Sequence, residues 1–277
     1  QYMCGGLEPE VQDEDFENDE DVKRIANETK ALVRDVDGGE NKMVQIRGLR
    51  KVYRTKDKSG KTLLKAAVKD TWLTVDRGEC FGLLGTNGAG KSTTFKMLSG
   101  DVLPSKGTAL LGHRDALTDQ IAVRVPDLLL QHQHSNTNIQ QVRALIGYCP
   151  QFNALLPRLT CREHLELFAR IKGISESNLE CVVKDKIEEL DLVEFENKRA
   201  GSLSGGNKRK LCVAIALIGN PPIIFLDEPS AGMDPVAKRF MWEVISRLST
   251  LNKSSTIILT THSMEECSAL CSRMTIM

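Results

Sequence analysis

A chain of 277 residues is long enough to bury a substantial core, as one large domain or as one domain with an inserted subdomain. Its 37 Lys and Arg balance its 37 Asp and Glu, which excludes a global field drawing it to nucleic acid or to an anionic membrane. No apolar run approaches the ~18 residues of a membrane span, and the start carries neither the basic nor the apolar region of a secretory leader.

From Glu8 to Asp21 the residues are mostly Asp and Glu with no Lys or Arg, a composition that cannot build a core and reads as a disordered tether. Val22, Ile25, Ala26, Thr29, Leu32 and Val33 follow helical spacing, so a short linker helix is expected before Asp37, Gly38 and Gly39 end it. Residues 1–42 are read together as an acidic tether and linker helix. The folded part begins near Met43, where Val44 and Ile46 alternate with polar residues, and a second strand pattern runs from Ala67 to Val75 beyond a turn over 56–61. These two strands predict a small antiparallel sheet leaning on a main one. Tyr53 lies between them and has two readings, an aromatic that stacks on a base or a strand-end packing residue.

The apolar run Cys80 to Leu84 predicts a buried strand, and it breaks into G-T-N-G-A-G-K-S-T over 85–93 before a helix. That is the phosphate-binding P-loop, G-x-x-x-x-G-K-[ST], in its expected context between strand and helix. Gly85, Gly88 and Gly90 let the backbone approach an anion, with the amides of Thr86, Asn87 and Ala89 between them, and the helix adds its positive N-terminal end. Lys91 supplies a point charge for the β- and γ-phosphates, the Ser92 hydroxyl is placed for Mg²⁺, and Thr93 closes the motif.

Pro104 to Gly107 is a turn and Thr108 to Leu111 a short strand. Residues 124–143 are polar and without sustained period; His132 and His134 lack a Cys or carboxylate at ligand spacing and do not make a metal site. Thr160 to Glu163 reads as a capping box opening a helix that Gly173 stops, and Asn178 to Leu190 is a second helix, so two helices in succession interrupt the α/β rhythm as an inserted subdomain. L-S-G-G-N over 203–207 opens a helix reaching about Ile218. Pro222 to Glu228 is a buried parallel strand ending in two carboxylates, Asp227 and Glu228, where open α/β sheets place their chemistry. Asp234 and Pro235 start another helix, Thr256 to Thr261 is a strand, His262 follows it directly, and Ser263 to Glu266 caps a further helix. The eight cysteines are scattered with no C-x-x-C, several inside apolar runs, which favours reduced thiols in a cytosolic setting.

In this order the motifs resemble the nucleotide-binding domains of ABC transporters across Met43 to Met277. Gly85 to Thr93 matches the Walker A loop, Gln151 in Y-C-P-Q the Q-loop, and Leu203, Ser204, Gly205, Gly206 and Asn207 the signature. Ile223 to Glu228 matches the Walker B strand with its catalytic Glu, Ser230 to Asp234 the D-loop, and His262 the switch. The signature ends in Asn where Gln is commoner, and L-S-G-G-N-K-R-K with G-Y-C-P-Q-F-N-A upstream looks like the A subfamily, whose members mostly move lipids.

The resemblance implies a P-loop NTPase (RecA-like) α/β core with a small antiparallel β subdomain and an inserted α-helical subdomain over about 152–206. It implies ATP and Mg²⁺ as ligands, with Ser92, Gln151 and Asp227 on the metal, Glu228 polarising the attacking water and His262 at the γ-phosphate. The signature would close over ATP bound to a second nucleotide-binding domain, with Asp234 at that interface. Transmembrane domains would lie outside this stretch, placing it on the cytoplasmic face of a membrane with no nucleic-acid partner. A regulatory ATP-binding module and a soluble ABC ATPase are the alternatives, and intact Glu228 and His262 argue against the first. Lys91 and Gln151 stand 60 residues apart, an excess of about 20 over the family's spacing that suits an exposed loop insertion over 125–143. The apolar end, 273–277, looks like an unfinished strand, as of a domain cut short.

Overall fold

The computed structural model describes residues 41–56, 60, 62–112, 114–115, 145–251 and 255–277. The expected acidic tether and linker helix and the proposed insertion over 125–143, with His132 and His134, lie outside these residues.

Two sheets carry the architecture. Strand β1 (Lys42–Lys56) pairs antiparallel with β2 (Thr62–Asp76) and with β4 (Lys106–Leu111), and β4 in turn pairs with β5 (Arg114–Asp115), giving the order β2-β1-β4-β5. The second sheet is parallel, in the order β6 (Ile146–Cys149), β7 (Ile223–Asp227), β8 (Thr256–Thr261), β3 (Cys80–Leu84) and β9 (Arg273–Ile276). The expected small antiparallel sheet is therefore present, and the apolar end of the chain forms an edge strand beside β3.

The parallel strands are apolar on both faces because both faces are covered. Successive side chains on a strand point to opposite sides, and the packing follows that alternation: Ile224, Leu226, Ile257 and Leu259 join one buried cluster, whereas Ile223, Phe225 and Ile258 join another. The second cluster lies between the two sheets around helix α1 (Lys91–Leu98), whose Phe95 meets Phe225 at 5.2 Å between ring centroids. Burying a ring of that kind stabilises the fold by roughly 1.5–3 kcal/mol.

The first cluster gathers the remaining helices. Helices α2 (Cys161–Ile171) and α3 (Glu176–Glu189) follow each other without an intervening strand, as the sequence pattern predicts. The capping box at Thr160 is complete: its side chain accepts from the Glu163 N–H, and the Glu163 carboxylate accepts from the Thr160 N–H at 2.8 Å. Helix α4 (Gly205–Leu217) is buried along most of its length and packs against β6 and β7. Helices α5 (Pro235–Ser246) and α6 (Met264–Leu270) complete the layer. Gly147 on β6 lets α4 approach, since a Cβ there would stand 2.0 Å from the Ala216 carbonyl oxygen.

Among the seven described cysteines Cys80, Cys149, Cys161, Cys212 and Cys267 are buried, while Cys181 is exposed and Cys271 half-buried. Burial pushes the thiols of Cys149 and Cys267 up to about 12, so the charged, reactive form is disfavoured there.

Candidate functional site

The parallel order places β3 and β7 on either side of β8, so the loops leaving their C-terminal ends open at one edge of the sheet. After β3 the chain runs through Gly85 to Gly90 into α1. Gly90 has φ +102°, and a Cβ would meet the Ala67 carbonyl oxygen of β2 at 2.4 Å, so only glycine fits there. Thr86, Asn87 and Gly88 are exposed, and among the described residues no acceptor is engaged by the amides of Asn87, Gly88 and Gly90. Free amides at the start of a helix form an anion cradle.

Lys91 is buried, 5% exposed, with its ammonium donating to the carbonyl oxygens of Gly85 at 2.6 Å and Thr86 at 3.0 Å. Both acceptors belong to the loop itself, so the charge is held inside the cradle where it can turn to a phosphate without crossing the sheet. Ser92 is half-buried one residue on, at the first turn of α1, and Thr93 beside it is also half-buried.

Strand β7 delivers Asp227 and Glu228, both buried. Thr260 on β8 fixes the pair: its hydroxyl donates to Asp227 Oδ1 at 2.5 Å and accepts from the Glu228 N–H at 3.1 Å. Glu228 itself adopts φ +50°, a left-handed conformation that costs a non-glycine residue on the order of 1–3 kcal/mol and persists where the surroundings enforce it. That turn redirects the side chain. Its Oε2 accepts from Gln151 Nε2 at 3.2 Å and its Oε1 lies 3.4 Å from His262 Nδ1, so the three residues expected to act together are in contact. His262 is 61% exposed on its side chain, and Gln151 is exposed as well. On β6, burial first and the negative Asp227 second push the Tyr148 phenol up to about 12, so it stays neutral.

The signature residues stand apart. Leu203 is buried, Ser204 caps α4 by accepting from the Asn207 N–H at 3.3 Å, and open space surrounds Gly205 and Gly206. Among the described residues, no hydrogen bond or ion pair joins 203–207 to the loop over 85–93. Asp234 caps α5 with one oxygen, accepting from the Val236 and Ala237 N–H groups at 3.1 Å, and is exposed. Tyr53 sits on β1 opposite Lys65, half-buried, with the Lys51 ammonium 5.3 Å from its ring centre.

Two residues that the sequence did not single out, and a third that it placed only in a helix cap, hold this arrangement. One is Thr260. A second is Arg209 on α4, whose guanidinium donates to five backbone carbonyl oxygens of the Gln151 and Glu228 segments. The third is Glu266, 3% exposed, which accepts from the Ser230 hydroxyl at 2.6 Å, the Thr261 hydroxyl at 2.6 Å and the Trp242 indole N–H at 3.1 Å. Ser263 caps α6 as expected, accepting from the Glu266 N–H, but the Glu266 side chain turns inward, and the Thr261 hydroxyl accepts from the Ser263 N–H in its stead.

A sequence model of the family described as ABC transporter matches residues 68–231. The chain is 46% identical over 258 residues to human ATP-binding cassette sub-family A member 2, covering 93% of this chain and 10% of that protein. It is 48% identical over 212 residues to human phospholipid-transporting ATPase ABCA3, covering 76% of this chain and 11% of that one. The chain thus spans about a tenth of the length of the curated relatives it matches. Among solved structures, a dimeric ATP-binding cassette in a post-hydrolysis state with ADP and Pi superposes with a TM-score of 0.71 at 22% identity, covering 85% of this chain and 94% of that one. The structure of an ATP-binding subunit of an ABC transporter gives 0.68 at 26% identity, covering 85% of each.

Proposed function

This chain belongs to the ABC transporter family as an ATPase domain, and from that premise we propose that it binds and hydrolyses ATP to drive the movement of lipids or other amphipathic molecules across a membrane. In this reading it works as a pair with a second nucleotide-binding domain, at the cytoplasmic face, beneath transmembrane domains. The observation that carries the proposal is the junction of Gln151, Glu228 and His262 at the end of β7, with the Lys91 loop one strand beyond β8.

Each residue then has a task. The amides of Thr86 to Thr93 cradle the phosphates, and the Lys91 ammonium exchanges its two loop carbonyls for β- and γ-phosphate oxygens. Asp227, Ser92 and Gln151 offer oxygen donors of the kind that Mg²⁺ takes, and the Thr260 bond leaves Asp227 Oδ2 available. When bound, Mg²⁺ neutralises charge on the phosphate oxygens. Glu228 orients and polarises the attacking water, and the imidazole of His262 stabilises the γ-phosphate side of the same geometry. Tyr53 offers a ring to the adenine. Ser204, Gly205 and Gly206 present open amides to the γ-phosphate of ATP on the partner domain, with Leu203 and Asn207 shaping that turn and Asp234 at the same interface.

The relatives named phospholipid-transporting ATPases support lipid as the cargo class. The test is Mg²⁺-dependent ATP turnover by the full-length protein, alone and with Lys91→Ala. The proposal expects turnover that saturates with ATP and a loss of nucleotide binding in the variant; no turnover, or unchanged affinity in Lys91→Ala, overturns it.

A further inference from the structure

Arg209 is 3% exposed, and among the described residues its guanidinium meets no carboxylate oxygen, only backbone carbonyls of two separate chain segments. Its Nε donates to the Pro229 carbonyl at 3.0 Å, Nη1 to those of Pro150 at 2.5 Å and Gln151 at 3.3 Å, and Nη2 to those of Asp227 at 2.6 Å and Glu228 at 3.1 Å. A guanidinium has five N–H groups in a rigid fork. Here five carbonyls receive them. A buried cation that needs only charge neutralisation takes a carboxylate; one that spends every donor on backbone fixes the path of that backbone.

The segments it joins are the two that bracket the proposed chemistry. One carries Gln151, whose side chain reaches Glu228 Oε2; the other carries Asp227 and the left-handed turn at Glu228. The helix that supplies Arg209 is capped by Ser204, and its open N-terminal turn is the proposed contact for nucleotide on a partner domain. Four residues, a little over one helical turn, separate Gly205 from Arg209.

We propose that Arg209 is a positioning residue for hydrolysis: its five-carbonyl clamp sets the distance between Gln151 and Glu228 and ties both to the signature helix. A shift of that helix on engaging nucleotide in trans then moves the backbone that aims Glu228. This inference rests on the hydrolytic reading above. Lysine cannot replace the fork, because one ammonium reaches at most a cluster of adjacent carbonyls and cannot hold two chain segments in register.

The experiment measures ATP turnover and nucleotide affinity of the full-length protein for Arg209→Lys and Arg209→Met, with Glu228→Gln and wild type alongside. For Arg209→Lys, kcat per nucleotide-binding site is expected to fall about a hundred-fold while the dissociation constant for ATP stays within about two-fold, as for a group felt only in the transition state. Arg209→Met, which keeps the stem and loses every donor, is expected to fall as far or further. Loss of ATP binding sites in step with turnover in both variants marks a purely structural residue and overturns the proposal. So does turnover within about two-fold of wild type in Arg209→Lys, whatever the fate of Arg209→Met. A wild-type protein that does not hydrolyse ATP, or a Glu228→Gln protein as active as wild type, refutes the hydrolytic reading instead.

Discussion

Replacing Glu266 by alanine removes the acceptor shared by three elements: the turn after β7 through Ser230, the end of β8 through Thr261, and α5 through Trp242. Two of the donors are nearly water-free, with Ser230 6% and Thr261 1% exposed, whereas Trp242 is half-buried. Orphaning a buried donor costs about 1–3 kcal/mol, and the hydroxyls can rotate in search of other acceptors while an indole N–H cannot. Two buried hydroxyl bonds near the lower end of that range, since rotation recovers part of the loss, a contribution from the half-buried indole and the cavity left by the side chain give about 3–5 kcal/mol. Glu266→Gln keeps the volume and one carbonyl oxygen for Ser230 and Trp242, but sets an amide against a Thr261 hydroxyl that already accepts from the Ser263 N–H at 3.0 Å. It is expected to cost about 1–2 kcal/mol. Equilibrium urea unfolding, with the slope checked to be common to all three proteins, measures both. An alanine variant within about 0.5 kcal/mol of wild type, or a glutamine variant as unstable as the alanine one, refutes the reasoning.

Gly90→Ala combines a left-handed φ with a Cβ 2.4 Å from the Ala67 carbonyl oxygen, so it is expected to destabilise the chain by about 2–4 kcal/mol and to weaken nucleotide binding; calorimetry reads both. Ser204→Arg puts a bulky cation at the open turn of α4. It should leave ATP binding by a monomer intact and abolish ATP-dependent association, as read by light scattering; loss of both makes the turn a fold element. Glu163, whose carboxyl is held below its ordinary range chiefly by the Thr160 N–H, contributes stability that is complete above the unfolded-state pKa and lost as pH falls through the lower folded value. The gap in melting temperature between wild type and Glu163→Gln should therefore be open at neutral pH and close in acid; a gap that widens in acid contradicts the capping assignment.

The strands and helices were legible because apolar residues recur at clean spacings. Cys80 to Leu84 and Thr256 to Thr261 come out at the expected bounds, and Thr160 with Glu163 closes the expected box. The candidate site residues stood out in the same way, since Gly85 to Thr93 and the pair Asp227 and Glu228 carry their signal in local sequence. What holds them did not. Arg209 stands in a K-R-K run that local sequence does not mark as buried, and its partners Pro150 and Pro229 come together only once β6 and β7 pair. Glu266 looked like a helix cap because Ser263 precedes it by three residues, whereas Ser230 and Trp242 arrive from 36 and 24 residues away. Thr260 is one more β-branched residue in a strand until its neighbour proves to be Asp227. The left-handed turn at Glu228 carries no glycine to announce it.

The most direct test of the hydrolytic account is Glu228→Gln in the full-length protein, with ATP binding and turnover measured on the same sample. The amide keeps the side-chain volume and its place between Gln151 and His262 but loses the negative charge proposed to polarise water. The account predicts ATP affinity within about two-fold of wild type and turnover reduced by at least about a hundred-fold. Turnover near the wild-type rate, with ATP still bound, would contradict it.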